Sequence, residues 1–346
     1  MPAQLGVGLQ QFDFSVYLSL AFLFGIAAQF SAMDGQVFLR RTVAVLENRV
    51  GIVYAVAVVT CVFSPFILND VVVIVLTPVV VRYARQFDID AAPMLVAEIT
   101  LVNVASSLTP LGNPQNILLW SASGATFGQF VSGTWLPLLL SGGLALALLL
   151  PLAMRAGGAR ELPASIGSIL PAIYLVLVAT AVIASDLAGL APYVSLGAGF
   201  LLGFPFTIRS VRQVAREFDL RSLLTLYGFI ASVTVVSIIL TPVLVPHVQP
   251  VAGGAQPYSA LFVVAASNII SNVPATQLIL NTVHISPHIA SGIAVEAGLA
   301  GNITPIGSFA NLLALQMARR VGLPIRRTVA LQLLVGALTF LPAFLA

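Results

Sequence analysis

Charged residues are scarce in this 346-residue chain. They make up 8% of it, whereas soluble domains carry about 25%. Hydrophobic residues make up 59%, so the composition excludes a soluble domain and predicts an integral membrane protein with roughly ten membrane segments. Cysteine occurs once, which excludes an intrachain disulfide framework and a cysteine-rich metal site, and Cys61 is expected to be a small buried side chain. A net charge of +3, dispersed along the chain, gives no indication of a nucleic-acid partner.

Lysine is absent, and all 15 basic residues are arginines. They cluster at residues 40–49, 82–85, 155–160, 209–221 and 319–327. Basic residues in short loops stay cytoplasmic. The arginine-free loops are therefore predicted to be external: residues 121–134, 186–191, 246–257 and 281–287. This assignment predicts a multi-pass protein of the plasma (inner) membrane with a first span within residues 16–39 and both termini external.

One short phrase occurs twice. Thr-Pro-Leu-Gly-Asn-Pro-Gln-Asn at residues 109–116 and Thr-Pro-Ile-Gly-Ser-Phe-Ala-Asn at residues 304–311 each lie inside an apolar stretch. Proline and glycine interrupt helices. An interrupted helix in a membrane leaves backbone polar groups that protein, water or cargo must satisfy. Matched interruptions in two halves of a chain predict a transport site between inverted repeats.

A polar pair precedes each phrase. Asn69-Asp70 lies in the middle of an apolar run, residues 50–81, that has arginines at both ends. Its arms would be roughly 25 and 17 Å long, too short to cross about 30 Å of bilayer. We interpret it as a re-entrant hairpin from the cytoplasm; two full crossings with a tight outer turn are the alternative. Residues 258–280, around Ser271-Asn272, form the corresponding hairpin from outside.

The predicted fold is an all-α polytopic membrane protein with inverted repeats. The first repeat is residues 1–154, with a hairpin at 50–81 and a broken helix at 93–127. A connecting helix pair and a cytoplasmic amphipathic segment follow at residues 155–222. The second repeat is residues 223–346, with a hairpin at 258–280 and a broken helix at 287–317.

The hairpin tips and helix breaks supply the candidate binding residues. Helix N-termini at such breaks favour anions, and open carbonyls favour cations. The candidates for substrate or ion binding are Asn69, Asp70, Ser107, Thr109, Gly112, Asn113, Asn116, Ser271, Asn272, Asn302, Thr304, Gly307, Ser308 and Asn311.

Three acids lie inside apolar segments, where a carboxylate is costly and points to function. Asp70 could bind Na⁺, carry a proton or cap the outgoing helix arm. Glu98 and Glu296 lie farther from the breaks, and the sequence leaves open whether each belongs to the site or to an interface. All three are candidate proton carriers.

At these residues the chain resembles the ion transporter superfamily, which includes divalent-anion:sodium symporters, citrate carriers and the arsenite permease/sodium–proton antiporter (ArsB/NhaD) branch. Residues 106–116 are similar to the superfamily's break motif, with serines for its glycines and Gln115 for its second proline. The tips Leu68-Asn69-Asp70 and Ser271-Asn272-Val273 look closer to the arsenite permease branch than to the symporters. The intact run from Gly112 to Asn116 looks like small bacterial anion transporters.

The resemblance implies a homodimer that works by an elevator motion. It also carries over Thr109, Asn113, Thr304 and Ser308 as ion- or substrate-binding positions. The Na⁺ positions that it implies lie near Asn69, Gly112, Asn272 and Gly307.

The function expected is secondary active transport of a small anion or oxo-species (an inorganic anion, a carboxylate or an arsenite-like species), coupled to H⁺ or Na⁺. The alternative within transport is a Na⁺/H⁺ antiporter using Asp70. A channel would need a continuous polar pore, whereas the polar residues form discrete clusters. An enzyme would need a nucleophile–base pair or metal cluster at depth. His247, His284 and His288 fall in predicted external loops, so we expect no enzyme and no cofactor beyond the coupling ion.

Overall fold

The computed structural model describes residues 14–154, 168–252 and 256–346 of the chain. These ranges contain α-helices and short 3-10 turns but no β-strand, so the predicted all-helical class is confirmed for them. The first range holds α1 (Phe14–Ala32), α2 (Gly35–Val50), α3 (Ile52–Phe63), α4 (Asn69–Phe87), α5 (Ala92–Ser106), α6 (Pro114–Ser123) and α7 (Phe127–Met154). The second holds α8 (Leu170–Leu187), α9 (Pro192–Leu202), α10 (Phe204–Thr207), α11 (Val211–Glu217) and α12 (Leu220–Ala252). The third holds α13 (Tyr258–Ile270), α14 (Asn272–Leu280), α15 (Pro287–Ala300), α16 (Phe309–Arg320) and α17 (Ile325–Thr339).

Six helical stretches in the described ranges are long and apolar enough to cross a membrane. They are Phe14–Ala32, Phe127–Leu149, Leu170–Leu187, Pro192–Glu217, Leu220–Leu240 and Ile325–Leu345. Large apolar side chains on them are exposed, among them Leu139, Val176 and Ile239. Extended apolar surface of this kind is unfavourable in water and is typical of helices that face lipid.

Other apolar helices are too short to cross. α3, α5 and α13 contain 12, 15 and 13 residues. At about 1.5 Å per residue each is roughly 18 to 23 Å long, less than the about 30 Å of a hydrocarbon core. These three helices can therefore end inside a membrane.

The short helices occur in the same order twice. In the first set, residues 64–68 join α3 to α4, and residues 107–113 separate α5 from α6. In the second set, Ser271 alone separates α13 from α14, and residues 301–308 separate α15 from α16. Within each set the helix pair packs against the helix that precedes the interruption, and α15 also packs against α5, α6 and α7. The two interruptions are thereby brought to the centre of one bundle.

Several helices between the two sets contact α1. α8 and α9 both contact it, and the Tyr174 hydroxyl of α8 donates a hydrogen bond of 2.6 Å to Gln29 Oε1 of α1. α12 is tied to the same helix, because the Tyr227 hydroxyl donates to the Tyr17 carbonyl oxygen. These helices form a layer beside the interrupted helices.

The first span expected within residues 16–39 corresponds to α1, which is long and apolar enough to cross a membrane and ends at Ala32. Asp34, in left-handed conformation with φ 61°, separates it from α2, a distinct helix that carries three arginines. The expectation that Cys61 is buried was wrong, because its side chain is exposed. α3 buries Ala55, Val56 and Val59, and Cys61 lies two residues past Val59, on the other side of the helix.

Candidate functional site

The first interruption is closed by an asparagine. The Asn116 side-chain amide, in the first turn of α6, donates hydrogen bonds of 3.1 Å to the Ser106 carbonyl oxygen and 2.8 Å to the Thr109 carbonyl oxygen. α5 ends at Ser106, so these carbonyls lack helical partners. Asn116 thus holds the end of one helix against the start of the next.

The second interruption is closed in the same way. The Asn311 amide donates to the Gly301 carbonyl oxygen and, at 3.1 Å, to the Thr304 carbonyl oxygen. The partners lie ten and seven residues before the asparagine in both halves. Two stretches 195 residues apart therefore share one hydrogen-bond pattern, which we call the asparagine clamp (Asn116 and Asn311 with these four carbonyls).

A threonine ties each interruption to its own helix pair. The Thr109 hydroxyl donates to the Pro65 carbonyl oxygen, between α3 and α4. The Thr304 hydroxyl donates at 2.6 Å to Asn268 Oδ1 in α13. Pro65 lies four residues before Asn69, and Asn268 lies four before Asn272. The two threonines therefore reach equivalent positions of the two helix pairs.

Two glycines permit this close approach. A Cβ on Gly112 would lie 2.4 Å from the Ser106 carbonyl oxygen and 2.5 Å from that of Ser64. A Cβ on Gly307 would lie 3.0 Å from both the Ala300 carbonyl oxygen and Asn268 Oδ1. The Asn69 backbone N–H also donates to the Gly112 carbonyl oxygen at 3.0 Å. The first helix pair and the first interruption thus form one tightly packed unit.

The two interruptions contact each other. Asn103 of α5 donates from Nδ2 to Asn302 Oδ1 at 3.0 Å and to Asn311 Oδ1 at 2.9 Å. The Ser107 side chain also packs against Gly298 of α15, because a Cβ on Gly298 would lie 1.8 Å from the Ser107 hydroxyl oxygen. The predicted residues Ser107, Asn302 and Asn311 are therefore close together, and residues from both halves complete the polar cluster.

Asn113 and Ser308 occupy matching positions at the starts of α6 and α16. Both have extended backbone, with φ/ψ of −149°/138° and −142°/142°. Both are buried, with 1% of their surface exposed. Asn113 Oδ1 accepts a 3.4 Å hydrogen bond from the Gln115 N–H, but Asn113 Nδ2 and the Ser308 hydroxyl have no partner among the described residues. A buried polar group without a partner is costly, so these two groups are suited to meeting a ligand.

The turns of the helix pairs place the remaining predicted residues. Asn69 is buried and begins α4, where its Oδ1 accepts a 3.0 Å hydrogen bond from the Asp70 N–H. Asp70 is partly exposed in the first turn. Ser271 has φ 71°, and Asn272 after it is buried. The structure therefore brings Asn69 against Gly112, whereas within the described ranges no hydrogen bond joins Ser271 or Asn272 to the second interruption.

Glu98 and Glu296 bind neighbouring helices of their own halves. Glu98 Oε1 accepts a 2.7 Å hydrogen bond from the Thr77 hydroxyl of α4, while Oε2 is buried without a partner among the described residues. Glu296 accepts hydrogen bonds from Gln256 Nε2 at 2.5 Å and from the Ser259 hydroxyl at 2.9 Å. Each acid thus links the helix before an interruption, α5 or α15, to the adjoining helix pair, away from the asparagine clamps.

Sequence reasoning missed Asn268. Its amide donates to the carbonyl oxygens of Val264 and Ala300, while its Oδ1 accepts from Thr304. The available signal was a polar Ser267-Asn268 pair inside the apolar α13. Ser267 and Ser64 also hold equivalent positions, and both hydroxyl oxygens are buried without partners in the described ranges.

Within the described residues, no three His, Cys, Asp or Glu side chains gather where they could hold a metal ion. His247, His284 and His288 are exposed. Candidate cation ligands at the interruptions are therefore carbonyl, hydroxyl and amide oxygens, as suits hard cations.

The chain is similar to known membrane proteins. Residues 2–291 match the family model described as "Citrate transporter". The chain is 32% identical over 270 residues to "Inner membrane protein YbiR" of Escherichia coli (strain K12), a match covering 74% of this chain and 66% of that protein. It is 27% identical over 310 residues to "Uncharacterized transporter Rv2685" of Mycobacterium tuberculosis (strain ATCC 25618 / H37Rv), covering 79% and 71%. A shorter match, 40% identical over 87 residues, relates it to "Silicon efflux transporter LSI3" of Oryza sativa subsp. japonica and covers 25% and 18%. The chain thus spans about two thirds of the length of the Escherichia coli relative.

Proposed function

The chain belongs to the citrate transporter family, and on that premise we propose that it is a secondary active transporter of a small anion or oxo-species, coupled to H⁺ or Na⁺. Membership confirms the resemblance to the ion transporter superfamily, and the names of the relatives indicate a membrane transporter, not an enzyme. The observation that carries the proposal is the pair of asparagine clamps, one at the start of α6 and one at the start of α16. Asn103 of the first half donates a hydrogen bond to Asn311 of the second clamp.

The anion is proposed to bind at the starts of α6 and α16. Backbone N–H groups at a helix N-terminus carry a partial positive charge. The unpartnered groups of Asn113 and Ser308 lie at these two starts and can donate to an anion's oxygens. Neither interruption contains an arginine, so dipoles and neutral donors would hold the anion.

The coupling ion is proposed to bind near the interruptions if it is Na⁺ and at an acidic side chain if it is a proton. Na⁺ would use carbonyl and amide oxygens near Asn69, Gly112, Asn272 and Gly307. A proton would bind to Asp70, Glu98 or Glu296, because an ionised carboxylate at each of these positions is destabilised by the loss of hydration. Asp70 also supports the alternative, a Na⁺/H⁺ antiporter, because it is the acid next to the first tip.

We propose that the two helix pairs are re-entrant hairpins and that the two sets form inverted repeats. The short helices α3 and α13 support this, as does the shared hydrogen-bond pattern. By family analogy the protein would be a homodimer, with the layer of α1, α8, α9 and α12 as the scaffold past which the hairpins move. Both termini would be external.

Transport by proteoliposomes tests the proposal. Purified protein would be offered sulfate, phosphate, citrate, succinate, arsenite and, following the name of the rice relative, silicate, with and without gradients of Na⁺ and H⁺. We expect one class to accumulate only with a cation gradient. Asn113→Ala and Ser308→Ala should each raise the half-saturating anion concentration about tenfold, since a hydrogen bond to a charged group contributes about 1.5–3 kcal/mol. The exposed Ser132→Ala serves as the control.

The same vesicles distinguish the anion transporter from the Na⁺/H⁺ antiporter. Asp70→Asn should abolish cation-coupled anion uptake while the protein stays folded. If the wild type instead exchanges Na⁺ for H⁺ with no anion present, the antiporter is correct. Normal anion affinity in both the Asn113 and Ser308 variants would show that the interruptions are only kinks.

A further inference from the structure

A groove with two arginines in its lining lies away from the interruptions. It is a groove of about 450 Å³ between α2 and the distal half of α4. Arg40 and Ala44 of α2 line one side, and Pro78, Arg82, Tyr83 and Gln86 of α4 line the other. Pro78 lies nine residues beyond Asn69, or about 13 Å along the helix, so the groove is separate from the proposed anion site. Its volume is within the about 300–1,000 Å³ typical of ligand pockets.

Two guanidinium groups face this groove without an acidic partner. Arg40 and Arg82 are both exposed, and neither forms an ion pair within the described ranges, whereas Arg327 pairs with Asp90 at 2.8 Å. Arg40 donates from Nε to the Gln36 carbonyl oxygen at a long 3.4 Å, which leaves its terminal nitrogens available. Guanidinium groups bind phosphate oxygens in pairs of parallel hydrogen bonds. Two such groups on different helices favour an anion between them.

The acid of α2 does not occupy the groove. Glu47 is fully buried and is not part of the lining. It interacts with Tyr83, whose side chain lines the groove. The groove therefore presents positive charge to a ligand.

The surroundings of the groove suit a lipid better than a soluble anion. Ile74, Pro78 and Arg82 are four residues apart and share one face of α4, on which Ile74 is exposed. On α2, exposed Val37 lies three residues before Arg40. On both helices exposed apolar surface thus leads to an arginine, as at the boundary between acyl chains and headgroups.

We propose that this groove binds the phosphate group of an anionic phospholipid, with Arg40 and Arg82 as its donors. The proposed topology places the groove at the cytoplasmic leaflet. Lipid binding in the groove does not depend on which substrate is transported. A lipid seated there would contact α2 and α4 together and so fasten the first helix pair to the membrane surface.

Lipid titration of the purified chain in detergent tests this inference. Native mass spectrometry would compare phosphatidylglycerol with phosphatidylcholine carrying the same acyl chains. We expect wild type to retain phosphatidylglycerol selectively, and the double variant Arg40→Gln/Arg82→Gln to bind it about tenfold more weakly or worse. Arg319→Gln/Arg320→Gln removes the same charge from exposed residues outside the groove and should bind like wild type.

Three results would overturn the proposal. The groove variant and the control variant could lose affinity equally, which would mean diffuse charge attraction. The groove variant could keep wild-type affinity. Inorganic phosphate could bind through Arg40 and Arg82 and displace the lipid, which would assign the groove to a free anion. If the glutamine variant fails to fold, Arg40→Lys/Arg82→Lys replaces it, and its loss of paired hydrogen bonds should weaken lipid binding by a smaller factor.

Discussion

At the scale of single residues, the asparagine clamp solves a problem that proline and glycine create. An interruption inside a bundle exposes carbonyl oxygens that no following helical N–H can reach. The Asn116 and Asn311 amides each satisfy two of them, from the first turn of the next helix. The interruption can then remain open to a ligand while its two ends stay fixed.

Loss of a clamp should therefore destabilise the fold. Asn116→Ala leaves two buried carbonyl oxygens unsatisfied, at about 1–3 kcal/mol each when water cannot replace the amide. We expect Asn116→Ala and Asn311→Ala to lower the thermal unfolding temperature in detergent by similar amounts. Asn281→Ala, which removes one hydrogen bond from Gln277, should have a clearly smaller effect. If all three variants unfolded at a similar temperature, a clamp would contribute no more to stability than the single bond between Gln277 and Asn281.

Glu47 gives a second prediction at this scale. α2 is outside the membrane-spanning helices, and burial raises the pKa of Glu47 above its ordinary value of 4.5, although a hydrogen bond from Tyr83 opposes the shift. The folded state then keeps its proton to a higher pH than the unfolded state. The free energy of unfolding accordingly falls as the pH rises from 4.5 through the folded-state pKa.

The variant Glu47→Gln should remove that loss. The difference in unfolding temperature between Glu47→Gln and wild type should grow in favour of the variant as the pH rises from 4.5 to neutral. Below pH 4.5 this difference should stay constant. Glu217→Gln, at an exposed position of α11, is the control and should follow wild type throughout. A constant difference between Glu47→Gln and wild type across this range would contradict the pKa direction.

At the scale of elements, the sequence predicts best what depends on neighbouring residues. The Thr-Pro-x-Gly phrases mark where α5 and α15 end, because proline and glycine act locally. The bond from Thr304 to Asn268 joins residues 36 positions apart, and no local signal identifies such a pair. The sequence does not predict α2 as a separate helix, because its apolar residues and arginines look like the end of the preceding span. In the structure, Asp34 turns the chain between the two helices.

The contact between the two interruptions makes a prediction about paired elements. A methyl group added at Gly298 would overlap Ser107, so Gly298→Ala should lower the unfolding temperature and impair transport. Ser107→Gly frees the space and loses only one hydroxyl hydrogen bond, to the Asn103 carbonyl oxygen. The double variant Gly298→Ala/Ser107→Gly should therefore be more stable than Gly298→Ala alone. Strictly additive losses would show that α15 does not pack against the first interruption as described.

At the scale of the whole molecule, the two halves depend on each other. Asn103 from the first half donates hydrogen bonds to two side chains of the second half. The Ser107 side chain of the first half packs against Gly298 of the second, where a Cβ would leave no room. Neither half completes the polar cluster by itself. If the halves are inverted, the starts of α6 and α16 approach that cluster from opposite sides of the membrane, which would allow one site to face each side in turn.

The proposed inversion, with the arginine distribution, predicts which loops face outward, and labelling tests that prediction. Cys61→Ala removes the lone native thiol, after which single cysteines are introduced by Ala188→Cys, His284→Cys, Gln213→Cys and Arg326→Cys, all at exposed positions. We expect Ala188→Cys and His284→Cys to react with a membrane-impermeant maleimide in intact cells. Gln213→Cys and Arg326→Cys should react only after permeabilisation, because arginine-rich segments stay cytoplasmic. If His284→Cys and Arg326→Cys reacted from the same side, residues 285–325 could not cross the membrane once, and the second set of helices could not be the inverted counterpart of the first.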